Sequence, residues 1–359
     1  MKERFSPALM DHVIFFRKLG QHIEQNPNLH DAYKDHPSVR FVTHDRDSTC
    51  LERVKTVEAL AYGDPSVLLG APGPSLSGVL LRDFGSEAQR TLFFDEVERE
   101  SAKTFFAITE PNKGSDANHM ESTLKRINED EYLLNGEKWL IGNGAVANMG
   151  IILAKTNDGP LGINAVLLTP NLLLEAKNTI QREVLNTVFL KGAQLSRLKF
   201  ENCRIPTTHV VGNHLRPTQR GLLSMLKTFN RMRPCVAAFA LGHAEALIDF
   251  LSETLHVKSE KSAFFARKAE ALRGMLYNTA RQIDEDPFKY APQSSFVKFS
   301  ATRLVEDLAE YTLEAGGYAH LLSDPWLEKS IRDAYGFEFM EGTSNIQKLN
   351  AFHMAGGVS

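Results

Sequence analysis

Cysteine is scarce in this chain of 359 residues: Cys50, Cys203 and Cys235 are all it has, far apart and without CxxC spacing. That argues against a disulfide framework and against a dithiol or zinc motif, and it suits a reducing compartment, so a cytoplasmic location is expected. The 12 histidines form no i, i+4 pair, and no metal is expected. Long apolar runs are missing near the N-terminus, where the longest is Val13 to Phe16, close to Asp11. Such a run is too short for a signal peptide core or a membrane span. Neither sign of charge prevails, since 41 Lys and Arg stand against 44 Asp and Glu for a net charge of −3. With basic residues scattered along the chain, nucleic acid is not an expected partner. The sequence also lacks GxGxxG after a strand, GxxxxGK(S/T), HExxH and GxSxG. Those absences count against dinucleotide-type Rossmann, P-loop and simple metal-hydrolysis chemistry.

Apolar residues make up 43% of the chain, enough to fill the roughly two or three structural units that its length calls for. In residues 1–102, helical stretches such as CLERVKTVEALAYG and GVLLRDFG alternate with turns such as GAPGPS, which predicts an N-terminal α-helical domain. Residues 103–206 change to short apolar runs, FFAIT, YLLNG, GIILAKT, INAVLLT and LSRLKFENC, separated by Gly, Asn, Asp and Pro. This pattern predicts a middle antiparallel β domain. Residues 207–359 return to helix. Phe265, Ala269, Leu272, Leu276 and Ile283, then Val297, Ala301, Leu304, Leu308 and Tyr311, recur at helical spacing, predicting a C-terminal four-helix bundle. The fold class is therefore α+β.

Two segments are too polar and Gly-rich for plain structural duty. Ile108 to Ala117, ITEPNKGSDA, follows an apolar run and leaves a strand for a loop. Phe339 to Gln347, FMEGTSNIQ, sets an acid among apolar residues just before a Gly-Thr-Ser turn.

These segments, in this order, resemble the TEPxxGSDA and EGTSxIQ patterns of the acyl-CoA dehydrogenase family. LNGEKWLIGNGAVAN resembles that family's LNGxKxxITNG hairpin, FENCRIPTTHVVG its exit from the β domain, and RMRPCVAAFALGHAEAL its RxRPxVAAxALGxA helix. The resemblance covers roughly residues 52 to 352. It implies FAD as cofactor and α,β-dehydrogenation of an acyl thioester, on CoA or on an acyl carrier protein. Glu341 would be the base that abstracts the α proton, with its own backbone N–H at the thioester oxygen. Ile108, Thr109, Leu140 and Gly142 would meet the flavin ring, and Ser115 both the pyrophosphate region and the substrate. Thr343 and Asn345 would hold the adenosine half, and Gly316 and Gly317 match a turn at the cofactor. Asn230, Arg233 and Gly342 would lie at the substrate. An electron acceptor protein and a homodimer or homotetramer are the implied partners.

The chain also departs from the pattern. Leu140 and Gly142 stand where the family has an aromatic or large residue and a threonine, so the threonine hydroxyl that bonds the flavin is lost, Asn230 replaces a frequent aspartate, and HVKSEKSAFFARKAE lacks the RxxFGxxLxxxQ loop. Weakened FAD retention is the expectation. Two other readings stay open here: a flavin-dependent monooxygenase on the same fold, and a non-catalytic member that has lost FAD. An apolar setting of Phe337, Phe339 and Met340 should raise the Glu341 pKa.

Overall fold

The computed structural model describes residues 5–114 and 119–354. Helices α1 (Pro7–Gly20), α2 (Pro37–Thr43), α3 (Cys50–Gly63), α4 (Pro65–Gly70), α5 (Ser75–Phe84) and α6 (Glu87–Glu100) come first. Their starts are written in the sequence. Thr49 with Glu52, and Ser86 with Gln89, form capping boxes on α3 and α6, satisfying backbone N–H groups that a helix leaves orphaned. Asp64 does the same for α4.

Seven strands follow among the described residues: β1 (Thr104–Ala107), β2 (Thr123–Arg126), β3 (Glu131–Ile141), β4 (Met149–Lys155), β5 (Ile163–Leu168), β6 (Ile180–Val184) and β7 (Ser196–Pro206). The short helix α7 (Pro170–Glu175) joins β5 to β6. The sheet runs β1-β4-β2-β3-β7-β6, with β5 on the other side of β4. It is mixed, where the sequence predicts antiparallel throughout. β1 pairs with β4 in parallel, Thr104 opposite Met149 and Ala107 opposite Ile152. Parallel neighbours need a long crossover, and here β2 and β3 lie between the two strands in the chain. β4 and β5 are buried on both faces: Ile152, Ala154, Val166 and Leu168 join one core, Ile151, Leu153, Ala165 and Leu167 another.

The remaining helices are α8 (Leu222–Asp249), α9 (Glu260–Glu285), α10 (Ala291–Gly316), α11 (Ala319–Ser323), α12 (Pro325–Ala334) and α13 (Ser344–Met354). α8, in the stretch Pro217–Thr254, is apolar and long enough to cross a membrane, but 83% of its most apolar window is buried against the rest of the protein. Its run of small residues explains how. A side chain at Gly242 would collide with the backbone carbonyl of Glu58, so α3 and α8 pack almost backbone to backbone. Val54 and Ala61 of α3 share one apolar core with α8, α9 and α10. Buried polar ties reinforce the contact: Arg273 and Tyr277 of α9 both donate to Glu58, each at 2.7 Å.

Candidate active site

The loop after β1 is organised from below by one acid. Glu110 is 2% exposed, and its carboxylate accepts the backbone N–H groups of Glu121 and Ser122 and the Lys138 ammonium at 2.8 Å. Lys138 also donates to the Ile108 carbonyl at 2.9 Å. Burial pushes the Lys138 pKa down to about 8 against the pull of Glu110. Burial would raise Glu110, but Lys138 and the N–H donors override it and hold the carboxyl below its ordinary range. The pair clamps this loop onto β3. There the β3–β7 register shifts between Lys138 and Ile141, and such a bulge re-aims side chains. Trp139 N–H donates to the Thr109 carbonyl at 2.8 Å, Leu140 sits at φ +59° with 41% of its surface exposed, and Asn143 N–H bonds the Ala193 carbonyl. The Thr109 hydroxyl bonds nothing among the described residues.

The second segment lies between α12 and α13. Glu341 has φ +52° and Gly342 φ +97°, a left-handed pair that sets the acid apart from both flanking helices. Three groups hold the turn. Lys298 of α10 donates to the Glu338 carbonyl at 3.0 Å and to Gly342 at 2.9 Å; Gln347 donates to Glu341 at 2.9 Å and Gly342 at 3.1 Å. The Glu338 carboxylate accepts from the backbone N–H and hydroxyl of Ser344, capping α13. The Glu341 side chain as a whole is half-buried, yet its Oε2 is sealed from solvent without a hydrogen-bond partner among the described residues. Burial raises its pKa to about 8, with Arg233 and Lys298 pulling the other way.

Glu341 lines a cavity of about 350 Å³ with Met340, Met232, Val236 and Phe239, and with Leu68 and Leu69 from α4. The apolar lining therefore comes from α8 and α4 together with Phe41 of α2, Val57 of α3 and Leu76 of α5. Phe339, expected to help, is 58% exposed and stacks on Phe189 at 5.8 Å. Arg233, buried on α8, makes no ion pair among the described residues; its Nη1 donates to Asn230 Oδ1 at 2.6 Å and its Nε is unpartnered. Asn230 is itself 3% exposed, so its oxygen is spent on Arg233. Asn143 also faces the cavity, with its Oδ1 buried and unbonded.

Other residues singled out from the sequence fall elsewhere. Thr343 and Asn345 flank the start of α13, half-buried and exposed, and neither lines the cavity. Gly316 and Gly317 end α10: Gly317, at φ +81°, donates to the Leu313 carbonyl, and a side chain on Gly316 would strike Leu255. Ile108 is buried in the sheet core. Ser115 lies outside the described residues. Glu110, Lys138 and Lys298 were not singled out. Glu110 and Lys138 sit inside the quoted motifs TEP and LNGEK, which is the one signal for them; Lys298 has none beyond lying in the apolar stripe of α10.

The groups that these parts leave uncovered suit a flat heteroaromatic group. Leu140 and Phe339 expose apolar surface, the Thr109 hydroxyl is unspent, and a Cβ on Gly142 would meet only the Ala193 carbonyl, at 3.9 Å. Loop 188–193 connects the two sides, since Leu190 N–H bonds Asp333 of α12 while Ala193 holds Asn143. Lys329 pins that loop support, bridging Asp333 and Asp64 at 2.7 Å each.

Family models agree with this arrangement: the acyl-CoA dehydrogenase middle domain matches residues 105–203 and the C-terminal domain residues 219–353. The chain belongs to the acyl-CoA dehydrogenase family. It is thereby an oxidoreductase of acyl thioesters that works with a flavin. Among curated relatives, the caffeyl-CoA reductase–Etf complex subunit CarC of Acetobacterium woodii is 27% identical over 319 residues, covering 84% of this chain and 79% of that one. Among solved structures, butyryl-CoA dehydrogenase from Megasphaera elsdenii superposes with TM-score 0.79 at 22% identity, covering 98% of both chains. The prolyl acyl carrier protein oxidase AnaB superposes with TM-score 0.77 at 20% identity, covering 98% of this chain and 100% of that one. At these identities the two structures speak for the acyl-CoA dehydrogenase fold alone.

Proposed function

We propose that the chain is an FAD-dependent dehydrogenase that removes hydrogens from adjacent carbons of an acyl thioester, with Glu341 as the base for the α proton. One observation carries this reading: the Glu341 carboxyl is held without a partner at the wall of a mainly apolar cavity. A base works best when its pKa lies near the working pH, and burial brings this carboxyl to about 8. The backbone N–H of Glu341 donates to no acceptor among the described residues. Such a preorganised donor stabilises the thioester oxygen as it gains charge. Arg233 places a second positive group near the carboxylate, with Asn230 fixing it. Leu68, Leu69, Val236 and Phe239 keep water from the acyl chain.

FAD, when bound, supplies the acceptor for the β hydride. Thr109, Leu140 and Gly142 would hold its ring, with Ile108 behind them, and Ser115 its phosphates and the substrate's pantetheine. Gly342 would lie at the thioester. Thr343, Asn345, Gly316 and Gly317 would serve the adenosine end in a homodimer or homotetramer, and an electron acceptor protein would reoxidise the flavin. We take residues 1–102, 103–206 and 207–359 as the three domains that enclose the site. The thioester is carried on CoA or on an acyl carrier protein.

The test is anaerobic bleaching of bound flavin by acyl thioesters. Glu341→Gln keeps the side chain's shape and should keep the flavin, but the reduction rate should fall about 10²–10⁴-fold. Near-normal bleaching by the variant would reassign the base.

A further inference from the structure

A buried lysine that binds no carboxylate needs a reason, because the ammonium is costly to remove from water. Lys298 is 0% exposed, and among the described residues it makes no ion pair. It spends its donors on two backbone carbonyls, Glu338 at 3.0 Å and Gly342 at 2.9 Å. Those carbonyls bracket Glu341 on either side. Between them the backbone enters the left-handed region at Glu341 and again at Gly342, φ +52° and +97°. A non-glycine residue persists there only when its surroundings over-determine it. Gln347 contributes by bonding the carbonyls of Glu341 and Gly342, but it sits within the same segment, on α13. Lys298 is the donor that ties the turn to a separate long helix.

We infer that Lys298 is a positioning residue for Glu341: its ammonium locks the left-handed turn onto α10 and so aims the carboxyl into the cavity. The inference rests on reading Glu341 as the base. Its charge acts in the same direction as its geometry. Around Lys298 stand Glu338 and Glu341 from the turn, Glu306 from its own helix and Arg233 from α8; around Glu341 stand Arg233 and Lys298, with the Cys235 thiol of α8 also within electrostatic range. Lys298 and Arg233 both favour the ionised carboxyl against the burial that opposes it. Removing the Lys298 charge therefore moves the Glu341 pKa further up.

Two readouts on the whole flavin-loaded protein test this, with amide exchange measured on the flavin-free protein as well. Lys298→Met should accelerate amide hydrogen exchange across residues 338–347 in both forms. It should also slow flavin reduction about 10²-fold, the scale of a misplaced reacting group, and shift the acidic limb of the rate profile to higher pH. Lys298→Arg, which keeps the charge, should return that limb toward its wild-type position. A lysine serving only overall packing would lower the melting temperature and leave the limb in place. If Lys298→Met fails to fold, Lys298→Gln takes its place, keeping a donor without the charge, and its limb must shift in the same sense. Wild-type exchange at 338–347 together with an unshifted limb in the uncharged variant would overturn the inference. Glu341→Gln run in parallel separates the two questions: normal bleaching there defeats the base assignment, while the exchange result still judges Lys298 as the anchor of the turn.

Discussion

Two glutamates with buried carboxyl oxygens are held in opposite ways. Glu110 and Glu341 come from the two segments that stand out in the sequence; Glu110 is buried whole, and Glu341 has one carboxyl oxygen sealed from water. Glu110 collects Lys138 and two backbone N–H groups and is held below the ordinary carboxylate range. Glu341 has an unpartnered oxygen and is raised to about 8. Burial is common to both and therefore does not separate them. The supply of donors does. An acid whose lone pairs are spent fixes a loop; one whose lone pairs are unspent can accept a proton.

The largest effect should come from breaking the satisfied acid. Glu110→Ala leaves the Lys138 ammonium buried without its counter-charge, a loss that costs about 3–5 kcal/mol when one partner of a buried pair is removed. Chemical denaturation should show it, and a change below about 1 kcal/mol would mean that solvent reaches Lys138 and the clamp is dispensable. The double variant Glu110→Gln with Lys138→Met removes both charges. It should recover much of the stability, since a buried pair replaced by neutral groups of similar size is often near neutral.

These acids show where sequence reading succeeds and stops. Strands β1, β3, β4, β5 and β7 were legible from their apolar runs, and the helices from their spacing. β2 and β6 were not: Thr123–Arg126 buries one residue in four and Ile180–Val184 one in five, so neither shows alternation. The parallel pairing of β1 with β4 was hidden because pairing is tertiary and no local pattern encodes it. The segments holding Glu341 and Thr109 stood out because their motifs are contiguous. The partners of Lys298 lie 40 and 44 residues away, and a lysine in a helix ordinarily reads as a solvated face. Phe339 misled for a related reason: sequence adjacency to Glu341 does not decide which way a ring turns, and it turns outward onto Phe189.

A second effect, opposite in sign to the first, should follow from neutralising the unsatisfied acid. The folded pKa of Glu341 lies above its unfolded value, so the folded state keeps a proton that the unfolded chain releases. Stability from this group is full at acidic pH and is lost as pH rises toward and through about 8. Glu341→Gln should therefore melt higher than wild type at pH 9 and close to it at pH 5. A variant that melts lower at both would show that the carboxyl is satisfied after all.

The contrast between the two acids is tested most directly by titrating them in one sample. Carboxyl ¹³C resonances of glutamate-labelled protein, assigned by subtraction with Glu341→Gln and a second sample carrying Glu110→Gln, report each protonation separately. Glu341 is expected to titrate near pH 8 while Glu110 stays ionised below the ordinary carboxylate range. A Glu341 resonance that titrates at the ordinary carboxylate pH, alongside Glu110, would contradict it.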